Sequence, residues 1–197
     1  VDTFEKVNAR LDVASNDGVA SGGITSAKVY VREQAQFDSF HKANYNADPA
    51  AAVGANTFNI ITTAGTPNTY QVEQGGSVIS SGSFEGSQIK FAGLEIDISP
   101  VANGQVDFTL EAPQKENILN TLNDLIAGLT DPTISQEDYE QVLAAAMIQI
   151  DNSKNQVSLT QAGLGGRLNT AEKITQSNSD LDVNNKSSRA DLIELDM

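Results

Sequence analysis

The sequence predicts an α+β protein, a small antiparallel all-β domain attached to a long α-helical, coiled-coil-like rod. Three observations predict it. Up to about Pro113 apolar residues alternate with period two between turn residues, past Pro113 they recur at spacings of three and four, and from Tyr139 one heptad phase runs on without a proline. The division this sets is a β-rich domain over 1–112 and a helical rod domain over 113–197.

In the first part, Thr57-Phe58-Asn59-Ile60-Ile61-Thr62, Tyr70-Gln71-Val72 and Ser77-Val78-Ile79 are short, rich in β-branched residues and bounded by Gly, Pro or Asn. Ile89, Phe91, Ile96 and Ile98, then Val106, Phe108 and Leu110, continue the alternation, with turns at Glu85-Gly86, Ala92-Gly93 and Asn103-Gly104. Strands of this kind share one buried face. Gly22-Gly23 and Gly75-Gly76 are turn punctuation. Phe37, Phe40 and Tyr45, interleaved with polar residues, fit a short helix or a strand under the sheet, and the mixed pattern from Val1 to Asn16 fits no single element.

In the second part, Ile118, Leu122, Leu125 and Leu129, with Ile126 beside them, make the apolar face of a short helix over about 114–129. Asp131-Pro132 forces a turn. Ser135, followed three residues later by Asp138, is a capping-box arrangement, and acidic residues there suit the positive end of a helix expected over about 136–195. Its heptad phase runs through Tyr139, Leu143, Ala146, Ile150, Ser153, Val157, Thr160 and Leu164, and on through Ile174 and Leu181 to Leu192 and Leu195. Such a helix reaches roughly 90 Å at about 1.5 Å per residue. The β domain cannot cover that length, so the stripe calls for a partner helix outside this chain.

Composition narrows the function. Twelve basic residues against 26 acidic ones leave a net charge of −14, which repels phosphate backbones and anionic lipid headgroups and argues against nucleic acid as a partner. With no Cys there are no disulfides, thiolate nucleophiles or sulfur metal sites. No apolar run is long enough to insert in a membrane and no secretory signal is seen. The start without Met and the stop within an apolar helical pattern read as cut ends.

Four signals that resemble chemistry have simpler readings. His41 is the only histidine, so triads and multi-His metal sites are excluded by count, and its polar surroundings suit a surface or packing role. Asp180-Leu181-Asp182-Val183-Asn184 spaces oxygens like the start of a calcium loop, but Asn185 stands where Gly is needed and Asp191 where the bidentate Glu belongs. Gly163-Leu164-Gly165-Gly166-Arg167 follows a helical pattern and lacks the Lys-Ser/Thr of a phosphate loop, so its small residues suit a close helix crossing. Carboxylates are abundant, yet none is marked out by an apolar surround. No catalytic residue, metal ligand or cofactor is assigned.

The stretch Ala162-Gly163-Leu164-Gly165-Gly166-Arg167-Leu168-Asn169-Thr170-Ala171-Glu172 resembles the C-terminal core helix of the flagellin superfamily, with its Leu/Val-Gly-Ala-Arg/Gln-x-Asn element. Gly166 replaces the more usual Ala. Ser188-Arg189-Ala190-Asp191-Leu192-Ile193-Glu194-Leu195-Asp196 resembles the Ser-x-Ile-x-Asp-x-Asp stretch before the last helix of flagellins and hook-associated proteins, with Leu195 departing from the acidic pattern. Phe4-Glu5, the strand block ending Ile89-Lys90-Phe91-Ala92-Gly93-Leu94, and a separate helix over Ile118 to Leu129 are similar to the hook-associated proteins of the hook-filament junction. Ser99-Pro100-Val101-Ala102-Asn103-Gly104-Gln105-Val106-Asp107-Phe108 is a loose match to that family's Gly-x-Pro-x-x-Gly-Asp-x-Phe.

The resemblance implies a truncated flagellin-like core and a non-enzymatic subunit, exported unfolded by the flagellar type III system and extracellular. It implies a ring of copies joining hook to filament, beside the first hook-associated protein and flagellin or the filament cap, with the β domain facing outward. The family's N-terminal helices and last helix, and an export chaperone for those terminal segments, belong to this expectation. On this reading Leu143, Ile150, Val157, Leu164, Ile174 and Leu181 pack against the companion helix, and Arg167 and Asn169 make contacts between helices or subunits. The alternative is a secreted adhesin or host-contact module, a β head on a helical stalk that binds glycans through an aromatic groove. An enzyme ranks last, because no constellation has the spacing that catalysis needs.

Overall fold

The computed structural model describes residues 5–48 and 50–195. Phe4 of the Phe4-Glu5 pair, the rest of Val1 to Phe4, and Asp196 at the end of the Ser188 to Asp196 match lie outside the described residues. In chain order the elements are β1 (Val7–Asn8), β2 (Asp17–Gly22), β3 (Ser26–Val31), α1 (Gln34–Asn44), β4 (Thr57–Thr63), β5 (Asn68–Gln74), β6 (Ser77–Phe84) and β7 (Gln88–Phe91). There follow β8 (Leu94–Ser99), β9 (Gly104–Thr109), β10 (Lys115–Glu116), α2 (Ile118–Thr130) and α3 (Gln136–Leu195). The fold is α+β, an antiparallel β head and a long C-terminal helix, as the change of period predicts.

Eight strands form one antiparallel sheet in the order β6-β5-β4-β9-β2-β3-β8-β7, and β1 and β10 make a separate two-stranded ladder. β2 joins the halves of the large sheet. Its first residues, Asp17 and Gly18, pair with β3, and its last four pair with β9. Gly18 is needed at that crossing, since a Cβ there would lie 2.8 Å from Val106 Cγ1.

Alternation decides which side chains are buried. Phe58 and Ile60 of β4, Val106 and Phe108 of β9, Val72 of β5 and Phe84 of β6 point inward from one half; Val29 and Val31 of β3, Leu94, Ile96 and Ile98 of β8, and Ile89 of β7 meet them from the other. The two halves therefore share one core. Helix α1 closes it with Phe37, which is fully buried, and Phe40 packs tilted against Phe58 and edge-on against Phe91, each at 5.1 Å between centroids. Of the two arrangements open for Phe37, Phe40 and Tyr45, the helix is the one formed.

Turn Ala92-Gly93 is pressed against the start of α1. The carbonyl of Gly93 accepts from Arg32 N and Glu33 N, and with φ at +81° a Cβ there would collide with the Glu33 carbonyl oxygen. His41 is buried rather than exposed. Its Nε2 donates to the Glu111 carbonyl oxygen at 2.7 Å and its ring stacks on Tyr45, so its role is packing.

Differences from expectation have local causes. β2 (Asp-Gly-Val-Ala-Ser-Gly) carries too little apolar alternation to announce a strand, although Ala27, Val29 and Val31 of β3 do alternate. The short helix begins at Ile118, not near 114, because Lys115 and Glu116 pair with β1 and Asn117 caps the helix by accepting from Leu119 N at 2.9 Å. At α3 the Ser135 hydroxyl oxygen accepts from Asp138 N at 3.1 Å and donates to the Asp138 carboxylate at 2.9 Å, so the carboxylate returns to the capping side chain.

Phe37→Ala removes the side chain that ties α1 to both half-sheets and is expected to cost about 3–5 kcal/mol in urea unfolding, whereas Val78→Ala on the exposed edge strand stays within about 0.5 kcal/mol.

Candidate assembly interface

The head meets the rod through polar groups. The Arg10 side chain is 5% exposed and its guanidinium donates to Gln34 Oε1 at 2.7 Å, to the Val31 carbonyl at 3.1 Å, and to Oε1 and the carbonyl of Gln141 on α3 at 2.8 and 3.3 Å. Gln141 also donates to the Val31 carbonyl. Arg32 bridges Glu95 in the head and Glu140 in the rod, and Asn152 Nδ2 donates to the Asn8 carbonyl at 2.8 Å. The head's core cluster includes no residue of α2 or α3. Directional hydrogen bonds, which fix orientation more than they add stability, thus make up much of the joint, beside the contact of β1, where Val7 is buried, with α3.

Electrostatics follow from this geometry. Burial lowers the Arg10 guanidinium below its ordinary value, against the pull of Asp12 and Asp38. Burial likewise pushes the Asp12 carboxyl up, against Arg10 and the Val13 N–H. The exposed Glu140 carboxyl is held down, first by the Gln136 side-chain hydrogen bond and then by Arg32.

Helices α2 and α3 pack side by side and antiparallel. Gly128 lies against Val142, where a Cβ would sit 3.0 Å from Val142 Cγ1, and Thr121 lies in the same cleft as Ala145 and Gln149. The face of α3 covered by α2 and the head is marked by Ala146, Gln149 and Ser153, all buried. Leu143 and Ile150 lie on its flank, 38% and 48% exposed, with Met147. Leu119, Ile126 and Leu129 of α2 are exposed too. In an antiparallel pair, flanks displaced in the same rotational sense from the contact line face the same way, so these side chains form one apolar strip turned from the head.

Past Val157, which is half-buried, every described residue from Ser158 to Glu194 is exposed. Leu164, Ile174 and Leu181 are 57%, 56% and 56% exposed, and Arg167 and Asn169 are open to solvent. The chain brings none of these residues together. The close crossing expected at the glycines is not made within the described residues, since a Cβ at Gly163, Gly165 or Gly166 would meet nothing within 4 Å. Asp180 to Asn184 is a continuous part of α3, not a loop. Among the described residues no group of three or more His, Asp or Glu is placed to hold a metal, and no helix is long and apolar enough to cross a membrane. Arg10, Gln141 and Asn152 escaped sequence reasoning, because nothing in their local pattern marks a long-range partner.

No protein-family model and no curated protein matches the chain. Solved structures do. The crystal structure of flagellar hook associated protein-3 from Legionella pneumophila is similar at a TM-score of 0.50 and 19% identity, over 98% of this chain and 59% of that one. This chain shares the fold of that hook-associated protein. FlgL of Xanthomonas campestris aligns at 17% identity and a TM-score of 0.47, over 97% of this chain and 58% of its own. The flagellar junction protein FlgL from Legionella pneumophila aligns at 21% identity and 0.41, over 92% and 57%. At such identities the likeness to hook-associated protein-3 establishes fold alone, and the chain spans just under three-fifths of the length of these proteins.

Two tests address the joint. Arg10→Met leaves Oε1 of Gln141 and Oε1 of Gln34 without the donor Arg10 supplies and is expected to cost about 3 kcal/mol in urea unfolding. Glu140, with its carboxyl held below the ordinary value of 4.5, stabilises the fold above that value and loses the contribution as pH falls through its lowered folded value. Unfolding midpoints at about pH 7 and about pH 3 are thus expected to differ less in Glu140→Gln than in the wild type.

Proposed function

We propose that this chain is the central part of a structural, non-enzymatic subunit of the bacterial flagellum, one that joins hook to filament and assembles through its helical rod. The observation that carries this reading is the fully exposed helix from Ser158 to Glu194, patterned with apolar residues and set in the fold of hook-associated protein-3. Exposed apolar side chains repeated at heptad spacing on a helix are what a partner helix buries.

On this reading the protein divides into an outward-facing β-rich domain, 1–112, and a helical rod domain, 113–197. Leu143, Ile150, Val157, Leu164, Ile174 and Leu181 are the packing positions, and Arg167 and Asn169 make polar contacts between helices or subunits. A strict seven-residue repeat drifts by about 20° per heptad around a straight helix, so a partner following the stripe winds round α3 with a left-handed sense. The partners are other copies in a ring, the first hook-associated protein, and flagellin or the filament cap, with an export chaperone acting before assembly. The setting is extracellular, after export by the flagellar type III route.

The test is incorporation. Full-length protein mixed with hook and flagellin is expected to appear at junctions in negative-stain micrographs, and absence from every junction would sink the proposal. Leu164→Asp with Ile174→Asp is expected to abolish incorporation while leaving the stability of this chain within about 0.5 kcal/mol, because both side chains are solvated here.

A further inference from the structure

At the contact between α2 and α3, Gly128 lies against Val142, and Leu122 and Leu125 of α2 are half-buried. Apolar packing alone sets the alignment of two helices loosely, and a polar residue at a packed position fixes their register. Within this contact lie three polar atoms with no protein partner among the described residues: Oε1 and Nε2 of Gln149 and Oγ1 of Thr121. Gln149 is 1% exposed and Thr121 is 7% exposed. Both line one cleft of about 310 Å³, which Arg10, Lys115, Asp12, Glu111 and Glu116 also border. Arg10 cannot turn to serve them, because its nitrogens are committed to Gln34, Val31 and Gln141.

We propose that this junction is an ordered-water site, in which water bridges Gln149 and Thr121 and keys α2 to one alignment on α3. The chemistry selects water. Gln149 presents a donor and an acceptor side by side and the Thr121 hydroxyl is both, a set that one small neutral molecule satisfies and an ion of either sign opposes in part. Arg10 and Lys115 border the cleft together with Asp12, Glu111 and Glu116, so charges of both signs line it and neither an anion nor a cation is singled out, and no described cluster of three carboxylates or imidazoles is placed for a metal. The space is ample, since one water needs only about 10–15 Å³. The inference is independent of the flagellar reading, because it concerns how α2 is seated within the chain.

A high-resolution crystal structure of this chain, joined to a double-mutant cycle, tests it. Ordered water is expected within about 3.2 Å of both Gln149 and Thr121 Oγ1. Thr121→Val and Gln149→Leu are each expected to lower Tm by about 2–4 °C, while the double variant falls by less than the sum of the two, because the second change no longer strands a partner. Thr121→Ser keeps the hydroxyl and is expected to keep the water. Gln149 bonded directly to protein, no ordered water at these atoms, or strictly additive Tm shifts would each overturn the proposal.

Discussion

An apolar stripe on a helix in water leaves burial undone, and the length of α3 makes that the governing constraint on this protein. The head and α2 cover only the first part of the helix. Fully burying a Leu, Ile or Val side chain is worth about 1.5–3 kcal/mol, so Leu164, Ile174, Leu181 and Leu192 together hold several kcal/mol that the isolated chain does not realise. The distal segment is also weak on its own terms. Gly163, Gly165 and Gly166 cost up to about 1 kcal/mol each relative to Ala, and the many Ser, Thr and Asn residues add to that. Tertiary packing, not propensity, supplies most helical stability in proteins, and on the proposed reading a partner supplies the packing surface for this segment.

Where the protein does bury surface, it keeps two kinds of contact apart. The head is a closed apolar interior, built from both halves of one sheet and sealed by Phe37 of α1. Its attachment to the rod is rich in polar contacts, centred on Arg10 and Gln141, with Arg32, Glu140, Asn8 and Asn152 at its margins. On the proposed reading such a division suits an assembling subunit, with the apolar interior of the head closed by its own residues and hydrogen bonds helping to set the direction in which the rod leaves it.

Much of this was legible in the sequence, and the limits are instructive. The change from period two to heptad spacing near Pro113 announced the α+β division, since each period follows from backbone geometry. Strands β4 to β9 were legible because Phe58, Ile60, Ile96, Ile98, Val106 and Phe108 alternate with polar residues. Strand β2 was not, because Asp-Gly-Val-Ala-Ser-Gly is selected by close approach to β9 and β3, a tertiary requirement with no periodic trace. The polar neighbours of His41 left a surface and a packing role both open, and one turn of α1 decides for packing by setting its ring between Phe37 and Tyr45. The joint was hidden for the same reason, as Arg10 and Gln141 lie far apart in the chain. The long stripe was visible, but not that the head and α2 would take the face of Ala146, Gln149 and Ser153 and leave Leu143 and Ile150 on its flank.

The most direct measurement is amide hydrogen exchange along 158–194, first in this chain alone and then in full-length protein assembled with hook and flagellin. Burial by a partner helix predicts fast exchange along that stretch in the free chain and strong protection after assembly, centred on Leu164, Ile174 and Leu181. Equal protection in the two states would show that the stripe is not what assembly covers.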